Sequence, residues 1–599
     1  MLEIIGLIIG IYLSLLIMGY GIFSFLIKDE KIKPYAVFIS PWFGICAIAL
    51  GGVWLSMMGL AMNIAAWTIL VLGGSLSLYA FIKRHVLNIN YLETILLFLF
   101  LMIGLGVSLF PLAKQVGFAT TISLSNLDPI SYSTVADYLI DETVFSDSSY
   151  LPFSPFSWSV GDLIHHSYRW GSPILLSFIS ALFNLPAFKV YSILISFLFA
   201  TSFPLIYILA KYLFSKLTHL SILIIFLLYS INSTLLYMLY NVFFAQFVFS
   251  GVFITSIILF LVYTKQQKFI SWKINPLDIA LALLLSATSS LYPEGLFLIS
   301  LPIFTWICLK IIKNKNLIYL KTLKVFILGI LLNPYTMFTA IRQLSKVVVS
   351  SSRTTFIGWE MIRAANPMEL LGLYNLHYSR PIPITIMISF SLILIVIWLI
   401  GFIKIKQKLV ISSYLIVFFI TYFFTKVVGN NFFTYHRSLT YSLFIYVIFF
   451  TIAIDSILKL SKSFKIKSVC ILILVGLSLR SAHRTTHQLY WHHEVIDKSL
   501  ISLRDLNKED INQPFYTADV FLGEYNLWRR LWQEYFLTNQ KIISRQNINI
   551  DNKLITKPLP VLAEKQVLEK NEVKLVYESR IWENEYYILG YLNPELYED

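Results

Sequence analysis

Charge is scarce in this chain of 599 residues: Asp, Glu, Lys and Arg together make up 13% of it, about half the share of an ordinary soluble domain. With 57% of the residues hydrophobic, a water-soluble globule is excluded. Cysteine is nearly absent. Cys46, Cys308 and Cys470 are the only three, each lies in or beside an apolar run, and no disulfide framework is implied. No internal repeat or low-complexity linker is present, and the polar tail lacks a glycine-rich phosphate-cradling loop. The start, Met1 to Ile5, has neither the basic stretch nor the small-residue cleavage site of a secretory signal, so the first apolar run is expected to be retained.

What is present is a succession of apolar runs, most of them about 18 residues or longer, each enough to cross a hydrocarbon layer of about 30 Å. Crossings are expected at 2–27, 36–58, 64–83, 92–112, 188–210, 218–236, 240–264, 277–292, 295–311, 322–342, 383–403, 409–427, 437–459 and 467–482. The fold class is therefore an α-helical polytopic membrane protein of about 14 transmembrane helices with a small C-terminal α/β domain. The net charge of +14 sits in short hinges such as Lys28–Lys33 and 310–321. That is the positive-inside signature of cytoplasmic turns rather than a nucleic-acid-tracking face. The hinges alternate consistently if 171–185, short and opened by Pro173, is interfacial or re-entrant and does not cross. Loops 113–170 and 343–381 and the tail 483–599 then face away from the cytosol, as expected for a multi-pass protein of a plasma (inner) membrane. Within the tail, strands are expected at 513–520, 541–545, 559–562 and 574–578, a helix at 524–536 and a closing hairpin around 583–591.

Two acids stand at the mouths of apolar runs on that outer face. Asp128-Pro129 opens a helix, where Asp serves as a cap and Pro suits the first turn. The same carboxylate, beside a low-dielectric surface, can take a proton from an incoming hydroxyl. Glu294 lies in the tight turn Tyr292-Pro293-Glu294-Gly295, where an acid so near hydrocarbon faces a cavity or a partner; the plainer reading pairs it with a neighbouring Arg. Asp137 and Asp141 share a helix face, four residues apart, and repel unless water, a cation or a substrate separates them. His165 and His166 make a poor bidentate metal pair, and Arg169-Trp170 reads as an interfacial belt. Cations for a phosphate are Lys426 and Arg437 first, within Tyr435-His436-Arg437, then Arg353, Arg363 and Arg380; Arg binds phosphate oxygens in a bidentate fork.

The layout of these elements resembles the GT-C superfamily of membrane glycosyltransferases. The likeness rests on Asp128 opening the first large outer loop, the segment 169–176 ending it, Lys211–Lys216, the turn 292–294, Tyr435-His436-Arg437 before a late helix, and a soluble domain after the last helix. It spans about 92–482. Four helices precede the loop where many members have one, the acid is followed by Pro rather than a second acid, and the Trp-Trp-Asp-Tyr-Gly motif of oligosaccharyltransferases is missing. The resemblance implies inverting transfer of a sugar from a polyprenyl-phosphate donor to a hydroxyl of a glycan, lipid or protein. In it Asp128 is the general base, Glu294 shapes the site or assists the base, and Arg437, His436, Tyr435, Lys426, Arg353, Arg363 and Asp137 bind substrate. No metal site is expected from the sequence, and a divalent cation bridging Asp128 to the phosphate is left open. Two rival classes are an envelope polysaccharide polymerase or ligase, which would rely on Arg353, Arg363, His377 and Arg380, and a transporter or flippase. Against the last, no symmetric pair of broken helices is evident in the sequence.

Overall fold

The computed structural model describes residues 2–84, 90–124, 126–146, 169–266, 272–351, 367–373, 383–425, 432–460, 463–491, 493–511, 513–517, 527–543, 560–566 and 577–592. Four long helices open the chain: α1 (Leu2–Leu26), α2 (Ala36–Met57), α3 (Met62–Arg84) and α4 (Tyr91–Gln115). Strand β1 (Ile122–Ser123) and helix α5 (Asp128–Asp141) come next, then α6 (Gly171–Phe183), α7 (Ala187–Leu213), α8 (Leu220–Tyr229), α9 (Ser233–Tyr240), α10 (Phe244–Lys265), α11 (Pro276–Leu291) and α12 (Gly295–Asn314). The second half adds α13 (Lys324–Leu332), α14 (Pro334–Ser351), the short α15 (Pro367–Leu370), α16 (Ile384–Lys404), α17 (Lys408–Phe423), α18 (Phe432–Leu460) and α19 (Phe464–Trp491). Helix is the form an apolar run must take in hydrocarbon, because every backbone N–H and C=O then finds its partner within the segment.

Eight helices among the described residues are long and apolar enough to cross a membrane, or ten if each of two bent pairs counts as one span. The tally of 14 is thus not reached by length and composition. Helices α6, α11 and α17 are apolar but short, and α19 interrupts its apolar run with Lys467, Arg480 and Arg484. The stretch expected to cross at 322–342 is instead broken at Asn333, with a bend of 101°. A second break of 48° separates α8 from α9. Both breaks are made by asparagines: Asn232 accepts from the N–H of Thr234 at 2.9 Å, and Asn333 from that of Thr336 at 3.1 Å. Each side chain starts a new helix by capping it. The bundle is built round α7, whose apolar window is 100% buried, and α10 at 94%, while α3 at 33% lies on the rim. Helix α6 packs against α2, α3, α5 and α7 and is buried along its first ten residues, Gly171 to Ser180. It is an internal helix too short to span, not one lying flat on the surface.

The lysine-bearing end of the bundle is closed by ion pairs whose acids are buried. Glu93 accepts from Tyr35 at 2.6 Å and also from Tyr207 and Lys211. Lys324 meets Asp278 and Lys459 meets Asp455, each at 2.6 Å. Buried charges persist only when paired and hydrogen-bonded, and these pairs fix which helix ends lie together. At the other end, α19 runs on to Trp491, beyond the end expected at 482.

Beyond Trp491, β2 (Glu494–Val495) pairs antiparallel with β1, Ile122 opposite Val495. The C-terminal part then carries α20 (Lys498–Leu506), β3 (Phe515–Thr517), α21 (Leu527–Phe536), β4 (Ile542–Ile543), β5 (Pro560–Glu564), β6 (Tyr577–Glu583) and β7 (Tyr587–Leu592). They form a mixed five-stranded sheet of order β4-β3-β5-β7-β6. Strand β3 runs parallel to β4 and β5, and β5-β7-β6 is antiparallel. Helix α21 forms because its apolar residues recur on one face, and Trp528, Leu531, Trp532 and Tyr535 are buried there. Arg529 on its other side donates to both oxygens of Glu564, at 2.7 and 2.6 Å, and to Asp497 at 3.3 Å, clamping β5 to the start of α20. The core of this unit includes Ile130 and Phe188 of the bundle, so sheet and membrane helices share one hydrophobic cluster.

Candidate active site

The end of the bundle opposite the paired lysines brings together segments far apart in sequence. Arg169-Trp170-Gly171-Ser172 lies against the end of α11, where the Ser172 hydroxyl donates to the Leu291 carbonyl at 2.7 Å. Gly171 is required for that approach, since a Cβ there would stand 2.9 Å from the Ser290 carbonyl carbon and 3.0 Å from the Leu291 nitrogen. The contact carries Arg169 to the Tyr292-Pro293-Glu294 turn, where its guanidinium forms an ion pair with Glu294. The same guanidinium lies over the Tyr292 ring, 5.1 Å from its centroid, and reaches the Tyr132 hydroxyl at 3.4 Å. Arg169 and Trp170 are buried, at 9% and 2% exposure, so the belt reading of this pair is overturned. The plainer reading of Glu294, a partner of an Arg, is met by a residue 125 positions away. Its second oxygen, Oε2, is buried with no hydrogen-bond partner among the described residues. Such a group is costly unless a ligand or water completes it.

Tyr132 stands on the helix that Asp128 opens. Four residues apart on α5, the two share a face, and Asp128 bears electrostatically on Tyr191, as does Tyr132. The rings of Tyr132, Tyr191 and Phe244 pack together, with Tyr132 at 5.5 Å and Tyr191 at 5.3 Å from Phe244. Asp128 is half-buried and is the first residue of α5; the cap position is Leu127, which makes no side-chain cap bond. Asp128 therefore does not cap the helix, as the plainer reading had it. The turn beneath is strained: Val242 has φ +54°, rare for a β-branched residue. It is held by the Tyr191 hydroxyl, donating to the Val242 carbonyl at 2.9 Å, and by the Asn126 amide, donating to that of Asn241 at 2.5 Å. Strain of this kind persists where surrounding contacts over-determine it.

The expected cations are placed less completely. Lys426, Arg353, Arg363, His377 and Arg380 lie outside the described residues, as do the side chains of Tyr435, His436 and Arg437. The backbone of the last three belongs to α18. Four residues past Arg437, about 6 Å of helix rise, the Tyr441 ring stands 5.7 Å from that of Tyr292.

Asp137 belongs elsewhere. It is half a turn out of phase with Asp128 and about 14 Å along the helix, and it accepts from the Ala187 N–H at 2.8 Å and from the Tyr535 hydroxyl. Asp137 thus joins α5 to α7 and to α21 instead of facing Asp128. Burial pushes its carboxyl up to about 6, against the hydrogen bonds from Tyr535 and Ala187, which favour the ionised form. A cavity of about 930 Å³ opens beside it, lined among others by Asn63, Trp67, Asp141, Arg504 and Asn539. Among the described residues no group of three or more His, Cys, Asp or Glu side chains could hold a metal ion.

No protein-family model matches the chain, and no curated protein matches its sequence. Among solved structures, ArnT from Cupriavidus metallidurans in the apo state aligns with TM-score 0.41 and 10% identity over 83% of this chain and 98% of that one. The same protein bound to undecaprenyl phosphate gives 0.43 and 11% over the same shares, 83% and 98%. The Archaeoglobus fulgidus oligosaccharyltransferase in its apo form gives 0.47 and 10% over 81% of this chain and 70% of that one. With TM-scores below 0.5, these likenesses carry neither fold nor chemistry across, and the chemistry must be read from the residues of the chain itself.

Proposed function

We propose that the chain is a membrane glycosyltransferase of the GT-C type, moving a sugar from a polyprenyl-phosphate donor to an acceptor hydroxyl at the extracytoplasmic membrane face. The observation that carries this reading is that two acids from distant segments come to one end of the bundle: Arg169 pairs with Glu294 and reaches Tyr132, four residues from Asp128 on α5. Asp128 takes the acceptor's proton as its oxygen attacks the anomeric carbon. The carbon–oxygen bond to phosphate breaks with its electron pair leaving on the phosphate, and cations at the same end stabilise that charge. Arg437 and Lys426 are the groups assigned to it, supported by the short run of α18 from Arg437 to the Tyr292–Tyr441 contact. Glu294 orients the site through Arg169 and offers Oε2 to the acceptor. A plasma-membrane location with the sheet domain outside is in keeping with the lysine-bearing end being cytoplasmic.

The test is purified chain with a panel of synthetic polyprenyl-phosphate-linked sugars and bacterial membranes as acceptor source, tracking release of polyprenyl phosphate and label entering glycan. Asp128→Asn is expected to lower turnover about 10²–10⁴-fold with donor binding retained, and normal turnover by that variant refutes the assignment. A transporter reading draws on the two broken helices. Both breaks are closed by their own asparagine caps, which favours a structural role. Movement of substrate across vesicles without a new glycosidic bond would reverse that preference.

A further inference from the structure

Helix α19 carries two stripes on one exposed face, and they meet end to end. Val469, Leu472, Ile473 and Leu477 are exposed, at 54%, 67%, 57% and 36%. Their spacing continues along the same face into Arg480, His483, Arg484 and His487, which are exposed as well and succeed one another at i, i+3, i+4 and i+7. The opposite face, Leu474, Ser478, Ser481, Ala482 and Thr485, is buried, and the helix packs there on α8, α9 and α4. The change from apolar to cationic comes within a turn of Leu479. Toward its end the helix reaches the Tyr240 hydroxyl through Thr486, at 3.4 Å, and passes into β2. The cationic stripe therefore sits at the end away from the paired lysines, directly beyond the exposed apolar stripe.

We infer that this stripe is a binding site for the headgroups of anionic phospholipids of the surrounding bilayer. Continuity with the lipid-facing residues selects a lipid over a protein partner, because an occupant of the stripe must also fit the hydrocarbon directly below it. Charge selects the headgroup: two exposed guanidiniums a turn apart put positive charge beside the apolar stripe, and juxtamembrane cations draw anionic lipid. The imidazoles of His483 and His487 lie 5.9 Å apart on the same face. None of this depends on the transfer reaction.

The full chain in detergent is offered equal amounts of phosphatidylglycerol and phosphatidylcholine of the same acyl chains, and the retained lipids are counted by native mass spectrometry. Phosphatidylglycerol is expected to be retained about tenfold or more over phosphatidylcholine, and Arg480→Gln/Arg484→Gln to bring the ratio near one. Arg480→Lys/Arg484→Lys, which keeps the charge, is expected to hold most of the preference, and Lys404→Gln/Lys406→Gln at the opposite end to leave it unchanged. Equal retention by the natural chain, an undiminished preference in the Gln variant, or equal loss in the Gln and Lys variants overturns the inference. So does displacement of the lipid by inorganic phosphate, which would make this a free-phosphate site.

Discussion

Arg169 and Glu294 can be separated by a double-mutant cycle whose outcome the structure dictates in some detail. Both side chains are mostly buried, at 10% and 19% exposure. Removing one partner leaves a charge with little water to receive it, which costs about 3–5 kcal/mol in such settings; the residual exposure places the expectation near the lower figure. The two deletions should not be equal. After Glu294→Gln, the guanidinium keeps the face of Tyr292 at 5.1 Å and the Tyr132 hydroxyl at 3.4 Å. After Arg169→Gln, Glu294 loses its cation while its Oε2 already lacks a partner among the described residues. Arg169→Gln is therefore the more damaging by about 1 kcal/mol or more. The double variant should recover about 1.5–3 kcal/mol relative to the sum of the singles. Unfolding of so large a membrane protein is not two-state, so the readout is a denaturant or thermal midpoint monitored at a reporter on α11, compared across the four proteins under one condition. Additive losses, or Glu294→Gln worse than Arg169→Gln, would refute the picture of one shared buried pair.

Two further outcomes rest on single contacts. Gly171→Ala places a methyl within 3.0 Å of the Ser290–Leu291 backbone and should cost about 1–3 kcal/mol. It should also lower transfer by parting Arg169 from Glu294, and unchanged activity and stability would show that the close approach is not needed. Asp137 releases its proton near 3.8 when unfolded and near 6 when buried. Its contribution to stability is complete below about pH 3.8 and is lost as pH rises through about 6, a swing of at most about 3 kcal/mol. Hydrogen exchange of α21 should quicken from pH 5 to 7.5 in the natural chain and much less in Asp137→Asn; parallel slopes in the two would contradict this.

Length and hydropathy in the sequence announce the long helices, and α7 and α10 lie where their apolar runs say. Breaks made by polar caps are harder to see. Asn232 and Asn333 interrupt stretches that remain apolar on average, so a windowed reading runs through them. In the tail, alternation locates β3, β5 and β7 well because half-buried strands show period two. Strand β2 is only two residues long and owes its form to β1, some 370 residues earlier, which no local pattern reveals. Asp128 and Glu294 are conspicuous as acids beside hydrocarbon. Arg169 is not, because a buried Arg and a headgroup-facing Arg look alike until the partner is known. Its flanking Gly171 and Ser172, matched by Gly295 at the other turn, are the nearest thing to a signal. Asp137 misleads for the opposite reason: its spacing to Asp141 suggests a shared ligand, whereas Tyr535 and Ala187 occupy it.

Helix α5 is made early and secured late. Its first residue is Asp128, and Asp137 in its last turns gains the second of its two partners, Tyr535, some four hundred residues afterwards. A nascent chain that has already threaded its bundle thus still lacks the tie from this helix to α21. Chains released before residue 535 would hold the helix by its packing on α6 and α7 and by Ala187 alone. The joint between the bundle and the sheet domain is thus closed only after the bundle itself.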